Sequence, residues 1–313
     1  MKIRKPSYKI LFSEDEQTLF SVGGTVSAFD VSGEKAVELL RLNSLKNPSR
    51  ITVSSDEKLL AYSNTSGHIA VHDIDSGKLL IKSKCLSEEG NSLFFLKGNK
   101  QIISSGWDGR VFILCLESGD VTVIFDGLSI PEIIPIFGDD YLVLGSDISD
   151  EIMSTSIFKI SLGGDVLTEE LHSALPYVLQ TVSTVRFKDE VFFCESIARG
   201  RSFNARDSIL SFNLSTNEMT TIFCVNEVVN KKDLIGEFGI FTSMCISSDG
   251  RCLLIGYSDA VIAFDLFKKK LIGTVEMKYV SSLKFLSLDK RAAIGTWTNT
   301  HIIDFETLLD GMC

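Results

Sequence analysis

Val53-Ser54-Ser55-Asp56-Glu57-Lys58-Leu59-Leu60 and Ile246-Ser247-Ser248-Asp249-Gly250-Arg251-Cys252-Leu253-Leu254 are two copies of one pattern, set far apart in the chain. A third copy is Phe12-Ser13-Glu14-Asp15-Glu16-Gln17-Thr18-Leu19-Phe20. Each begins and ends apolar and is interrupted by Ser and Asp. These residues favour tight reversals because their short side chains hydrogen-bond the nearby backbone. The pattern therefore reads as strand, acidic turn, strand. Looser copies begin at Phe95, Phe137, Phe187 and Phe285. One large apolar residue thus recurs at positions 12, 53, 95, 137, 187, 246 and 285, with gaps of 41, 42, 42, 50, 59 and 39.

Behind this column runs a second one. Alternating segments end in Phe29-Asp30, His72-Asp73, Leu114-Cys115, Ile160-Ser161, Phe212-Asn213, Phe264-Asp265 and Ile303-Asp304. Ser32-Gly33, Ser76-Gly77, Ser118-Gly119 and Gly163-Gly164 soon follow four of them, as hairpin turns require. Each unit of about 40 residues therefore holds four short strands, a to d. The nearest approach to a helical period, Glu34 to Leu42, falls where strand d of the first unit belongs. One such unit cannot bury both faces of its sheet. Stacking units around an axis does so, and closing the circle removes exposed edges. The expectation is an all-β, seven-bladed β-propeller of four-stranded antiparallel blades, one domain spanning 1–313. Its strands a begin near residues 7, 48, 91, 132, 182, 241 and 280. The last unit supplies strands a to c, the third from Thr300 to Phe305, and then runs out of chain. Residues 1–5, with Ile3 among Lys2, Arg4 and Lys5, are expected to complete it as its outer strand.

These repeats resemble the WD40 family. Ser105-Gly106-Trp107-Asp108-Gly109-Arg110-Val111 is similar to the b–c turn of a WD40 repeat, and Ser258-Asp259 falls at the matching place of the sixth unit. The apolar or aromatic residue plus Asp at the end of strand c is similar to that family's Trp-Asp pair. No unit carries Trp-Asp itself at that place, and none has Gly-His before strand a. The resemblance implies a propeller that binds other proteins, with its b–c and d–a connections on one upper face.

Composition narrows the function. Forty-one acidic against 31 basic residues give a net charge of −10, which argues against a binder of nucleic-acid backbone and favours a basic protein partner, met either as an interaction scaffold or as a stoichiometric neutraliser of that protein. Apolar runs fall well short of the ~18 residues of a membrane helix, and the first 15 residues do not read as a secretion signal. Seven scattered cysteines without Cys-x-x-Cys support neither a disulfide framework nor a thiolate zinc site. They fit reduced thiols in the cytoplasm. Of the four histidines only His68 and His72 are closely spaced, and on a strand they stand about 13 Å apart, too far to share a metal. No nucleophile elbow, phosphate loop or zincin motif occurs. No catalytic residue, metal or cofactor is assigned, and a monomer is expected. The alternative is a metal-dependent propeller hydrolase or lyase with its site at the central channel.

Candidate recognition residues come from two features. Tyr62, Trp107, Tyr257 and Trp297 lie at or near b–c turns, where Trp and Tyr are suited to anchoring protein partners. Wedging between blades as core is the competing account of the same residues. The connection after blade 4 strand b is long (Ser146 to Glu151), the one after blade 5 strand b supplies Arg199, Arg201, Phe203 and Arg206, and the one between blades 5 and 6 supplies Lys231 and Lys232. Loops on a rigid frame commonly carry recognition. Lys268-Lys269-Lys270, at a c–d turn of the opposite face, reads as a solvated turn.

Overall fold

The computed structural model describes residues 1–147, 154–175, 179–195, 208–228, 241–257 and 259–312. Its strands form seven four-stranded sheets, six of them from consecutive strands. Blade 1 is Lys9–Phe12, Thr18–Val22, Val26–Asp30 and Val37–Leu42; blade 2 is Pro48–Val53, Leu59–Asn64, His68–Asp73 and Leu79–Lys84. Blade 3 is Gly90–Phe95, Gln101–Gly106, Val111–Cys115 and Val121–Phe125; blade 4 is Ser129–Pro135, Asp140–Asp147, Ser154–Ser161 and Leu167–Leu175. Blade 5 is Leu179–Phe187, Glu190–Glu195, Ser208–Asn213 and Met219–Cys224; blade 6 is Phe241–Ile246, Cys252–Tyr257, Ala260–Asp265 and Lys270–Glu276. Blade 7 combines Val280–Leu286, Arg291–Thr296 and Thr300–Asp304 with Lys2–Ile3 from the chain start. This is a seven-bladed β-propeller, and the closing strand falls where the sequence puts it. Lys2 pairs with His301 and Ile3 with Thr300, and Ile302 N–H donates to the Met1 carbonyl at 2.9 Å.

The repeated sequence pattern has a repeated structure. In blade 6, Ser247 Oγ donates to Asp249 at 2.6 Å and accepts from Cys252 N–H at 2.8 Å, while Asp249 also accepts from Arg251 N–H at 2.9 Å. Ser54 and Asp56 make the same bonds in blade 2, and Ser13 and Asp15 in blade 1. The residue after each Asp, Glu16, Glu57 or Gly250, has a positive φ. The acidic residues are turn formers: carboxylate and hydroxyl satisfy amides that the hairpin leaves unpaired. At the end of strand c the Asp column does likewise. Asp30 accepts from Ser32 N–H, Asp73 from Ser76 N–H and Asp265 from Lys268 N–H, with Asn213 replacing Asp in blade 5.

Two compact units are distinguished, residues 1–19, 30–37 and 182–313 in one and 20–29 and 38–181 in the other. Within each, the core lies between successive sheets. In the first, Phe192, Ile209 and Phe223 of blade 5 pack on Leu253, Ile255 and Phe264 of blade 6, with Phe223 and Phe264 stacked. In the second, Ile69 and Val71 of blade 2 pack on Leu93, Ile102 and Phe112 of blade 3. Full burial of each such side chain contributes about 1.5–3 kcal/mol. Strands a of blades 3 and 6 carry a register shift at a common place, and the serine beside it caps the next blade. Ile133 N–H donates to Ser92 Oγ at 2.9 Å and Leu283 N–H to Ser243 Oγ at 3.0 Å.

One expectation is corrected at the chain end. Strand c of blade 7 stops at Asp304, and Phe305–Asp310 is a helix. Phe305, Leu308, Leu309 and Met312 have helical apolar spacing, and Leu308 and Met312 are buried beside blades 6 and 7. Gly273 lets this segment pass, since a Cβ there would meet the Met312 carbonyl oxygen at 2.6 Å. The residues 34–42 that approach a helical period resolve as strand Val37–Leu42.

Candidate recognition surface

The b–c turns of blades 2, 3 and 7 are built on one backbone frame. The first residue after strand b donates its N–H to a carbonyl eighteen positions earlier, on the connection entering the same blade. Thr65 donates to Asn47 at 3.2 Å, Trp107 to Glu89 at 3.0 Å and Trp297 to Tyr279 at 3.0 Å. The strand registers agree: Pro48 faces Asn64, Gly90 faces Gly106 and Val280 faces Thr296, so 65, 107 and 297 are equivalent. Other chain passes close to strand b at this end. A Cβ on Gly295 would meet the carbonyl oxygen of Ser7, on the segment leading into blade 1, at 2.7 Å, and one on Gly106 the side chain of Leu86, on the connection entering blade 3, at 2.5 Å.

This register divides the aromatic residues expected at the surface. Trp107 and Trp297 lie one step beyond the strand and are exposed, Trp297 by 59%. Tyr62 and Tyr257 are corrected from surface to core, at 0% and 2% exposure. Tyr62 sits within strand b opposite Ile51 and Ala70, and this strand is buried on both faces from Leu60 to Asn64. Its hydroxyl accepts from Ser44 N–H at 3.0 Å, its ring stacks on His72 at 5.6 Å, and burial raises its pKa despite that hydrogen bond. Tyr257 is the last residue of its strand and belongs to the core between blades 5 and 6. Arg199, Arg201, Phe203, Arg206, Lys231 and Lys232 lie outside the described residues.

The structure adds two aromatics that the sequence reading omits. Tyr279 stacks on Trp297 with centroids 5.7 Å apart and planes at 15°, and Tyr8 meets Trp297 edge-on at 6.2 Å and 84°. All three rings are exposed, so three aromatic side chains form one cluster above blade 7. Tyr279 also has φ +61°. A Cβ-bearing residue in this left-handed region crowds its carbonyl, at about 1–2 kcal/mol. At the equivalent position of blade 2 stands Asn47, φ +51°, a residue that tolerates the conformation. Tyrosine at 279 thus carries a strain that asparagine avoids, and its ring gains a place against Trp297. The signal lay in the eighteen-residue spacing, invisible until the hydrogen-bond frame is known.

Trp107 has polar surroundings instead. Asp108 accepts from Ser87 N–H at 2.9 Å and forms an ion pair with Arg110 at 2.5 Å. Burial works to raise the Asp108 pKa, but the hydrogen bonds from Arg110 and Ser87 prevail and hold it below the usual carboxylate range. Among the described residues, no group of three or more His, Cys, Asp or Glu could hold a metal ion. Nor is any described helix long and apolar enough to cross a membrane.

The chain matches no protein-family model and no curated protein. Among solved structures it is similar to a chain of Kuenenia stuttgartiensis hydrazine synthase, with TM-score 0.74 over 96% of each chain and 15% identity. At that identity the likeness bears on the fold alone, and it agrees with the seven blades described above.

Proposed function

We propose that this chain is a non-catalytic, WD40-like module of the cytoplasm that binds another protein. The observation that carries the reading is the exposed Tyr8–Trp297–Tyr279 cluster, one ring of which is held on strained backbone. Exposed aromatic rings lose little entropy on binding and bury much area, so they serve as anchors. Strain of this kind persists where the surrounding structure enforces it, and functional sites are where it collects. A rigid sheet beneath the cluster reduces the ordering cost of association. The six described cysteines are free thiols, in keeping with a reducing compartment. The net charge of −10 favours encounter with a basic protein.

The test is affinity purification from the native cell with wild-type, Trp297→Ala and Trp107→Ala baits, each shown folded by its thermal melt. A partner that co-purifies with wild type and is lost with Trp297→Ala supports the reading. Retention of every partner by Trp297→Ala refutes the assignment of this cluster. A melting temperature raised by calcium and lowered by chelator, with hydrolytic turnover, would favour the metal-dependent enzyme instead.

A further inference from the structure

The segments that bring the aromatic cluster together carry a charge opposite to that of the whole chain. Trp297 N–H donates to the Tyr279 carbonyl at 3.0 Å, Ser7 N–H to the Thr296 carbonyl at 2.8 Å, and Ser281 Oγ to the Ser7 carbonyl at 2.6 Å. Ile3 pairs with Thr300. Residues 3–9, 276–281 and 295–300 therefore meet around the cluster. Asp259 of blade 6 joins them, its carbonyl accepting from Met277 N–H at 3.0 Å. Together these hold four bases, Arg4, Lys5, Lys9 and Lys278, and two acids, Asp259 and Glu276. Four less two gives +2, in a chain of net charge −10. Both acids belong to blade 6, and the blade 7 pieces carry none.

Arg4 and Lys278 are exposed, and among the described residues their side chains have no hydrogen-bond or ion-pair partner. Lys2 follows one step along the closing strand, opposite His301. Burial first, then the charges of Lys2 and the chain amino terminus, hold the His301 pKa below its ordinary value. Exposed rings alone would suit a cation placed over their faces. Here that cation would meet Arg4 and Lys278. A single-stranded nucleic acid also uses rings and bases, but its unbroken row of phosphates would run beyond a +2 patch onto a chain of charge −10. A short protein segment with few carboxylates avoids that repulsion. Charges on the rest of the chain are screened beyond about 8 Å in physiological salt, so the patch sets the sign at contact.

We infer that the partner segment seated on this cluster is acidic. An apolar or aromatic side chain packs on Tyr8, Trp297 and Tyr279, while flanking carboxylates meet the Arg4 guanidinium and the Lys278 ammonium. The inference rests on the protein-binding role proposed above and adds the chemistry of the occupant.

Fluorescence anisotropy of four labelled probes tests this: Asp-Glu-Phe-Phe-Glu-Asp, Asp-Glu-Ser-Ser-Glu-Asp, Lys-Arg-Phe-Phe-Arg-Lys and a short oligothymidylate. The first should bind about tenfold more tightly than each of the others, an order opposite to the one that a net charge of −10 would impose. Arg4→Glu with Lys278→Glu should weaken it about tenfold, and Lys278→Glu alone, with an unchanged melting temperature, by about threefold or more. Trp297→Ala should weaken it as well. Preference for the basic peptide or the oligothymidylate, failure of the first peptide to bind better than its Ser-Ser counterpart, or undiminished binding by the folded Lys278→Glu protein overturns the inference. Capture from the native cell separates it from the reading beneath it. A partner lost with Trp297→Ala but fully retained with Arg4→Glu plus Lys278→Glu would leave the cluster a protein-binding surface and refute the acidic occupant. Retention of every partner by Trp297→Ala would remove the surface itself.

Discussion

Replacing Tyr279 separates what the residue contributes to recognition from what it costs the fold. Its φ of +61° carries about 1–2 kcal/mol of backbone strain for a residue with a Cβ. Its ring gains back about 0.5–1.5 kcal/mol by stacking on Trp297. Tyr279→Ala removes the stack and keeps the strain, so it should destabilise by about 0.5–1.5 kcal/mol. Tyr279→Asn removes the same stack but introduces the residue type that blade 2 uses at the equivalent Asn47. The strain is largely relieved, and the net change should lie near zero. The asparagine variant should therefore exceed the alanine variant in stability by about 1 kcal/mol, about 2 °C in melting temperature for a chain of this size. Urea unfolding of the three proteins, compared by midpoint at constant slope, reads the difference. Both variants should lose partners captured through the cluster. If Tyr279→Asn proved no more stable than Tyr279→Ala, the backbone there would not be held left-handed and the strain argument would fail.

The repeated turn gives a second prediction: Ser247→Ala should lower stability by about 1–2 kcal/mol, because the buried hydroxyl bonds both Asp249 and Cys252 N–H. Ser32→Ala, on an exposed turn, should change the urea midpoint little. A third concerns pH. Hydrogen bonds from neighbouring serine hydroxyls, then from backbone amides, hold Asp15, Asp30, Asp56, Asp73 and Asp249 below the ordinary value of 3.8. Their folded pKa values are depressed, so their contribution is present above 3.8 and is lost as pH falls through the folded values. The melting temperature should be level above about pH 5 and decline below about pH 4, less steeply in Asp249→Asn; an unchanged melt down to about pH 2.5 would contradict this.

Much of the fold was legible in the sequence because its cause is local and repeated. Ser13, Ser54 and Ser247, each two residues before an aspartate, specify the same hairpin through the same three hydrogen bonds. Blade 7 was legible too, since residues 1–5 are the piece of chain left to complete it. The site was read less well. Counting from strand-b glycines groups Tyr62, Trp107, Tyr257 and Trp297, yet pairing fixes side-chain direction to a single residue. Gly256 faces Ser243 and Gly106 faces Gly90, so the two glycines stand one register step apart and Tyr257 falls inside the strand. Tyr8 and Tyr279 were missed because neither lies near Trp297 in sequence. Their meeting depends on the first strand a following the closing strand of blade 7.

The turn frame explains how one scaffold can carry different surfaces. At the position just past strand b the backbone asks only for an N–H, and Thr65, Trp107 and Trp297 all supply it. At its partner eighteen residues earlier the frame needs only a carbonyl, supplied by Asn47, Glu89 and Tyr279. The main-chain bond survives any side chain, so the pair of side chains above it is free to vary. Blade 2 fills the pair with Thr and Asn, blade 3 with Trp and Glu, blade 7 with Trp and Tyr. In blade 7 alone of these three the pair is doubly aromatic, and there the fold accepts a left-handed tyrosine. Stability by itself is nearly indifferent between tyrosine and asparagine at 279, because the stack on Trp297 offsets the strain that Asn47 avoids in blade 2. A tyrosine at this place is what the proposed binding role would call for, since its ring and the indole beside it form the exposed pair.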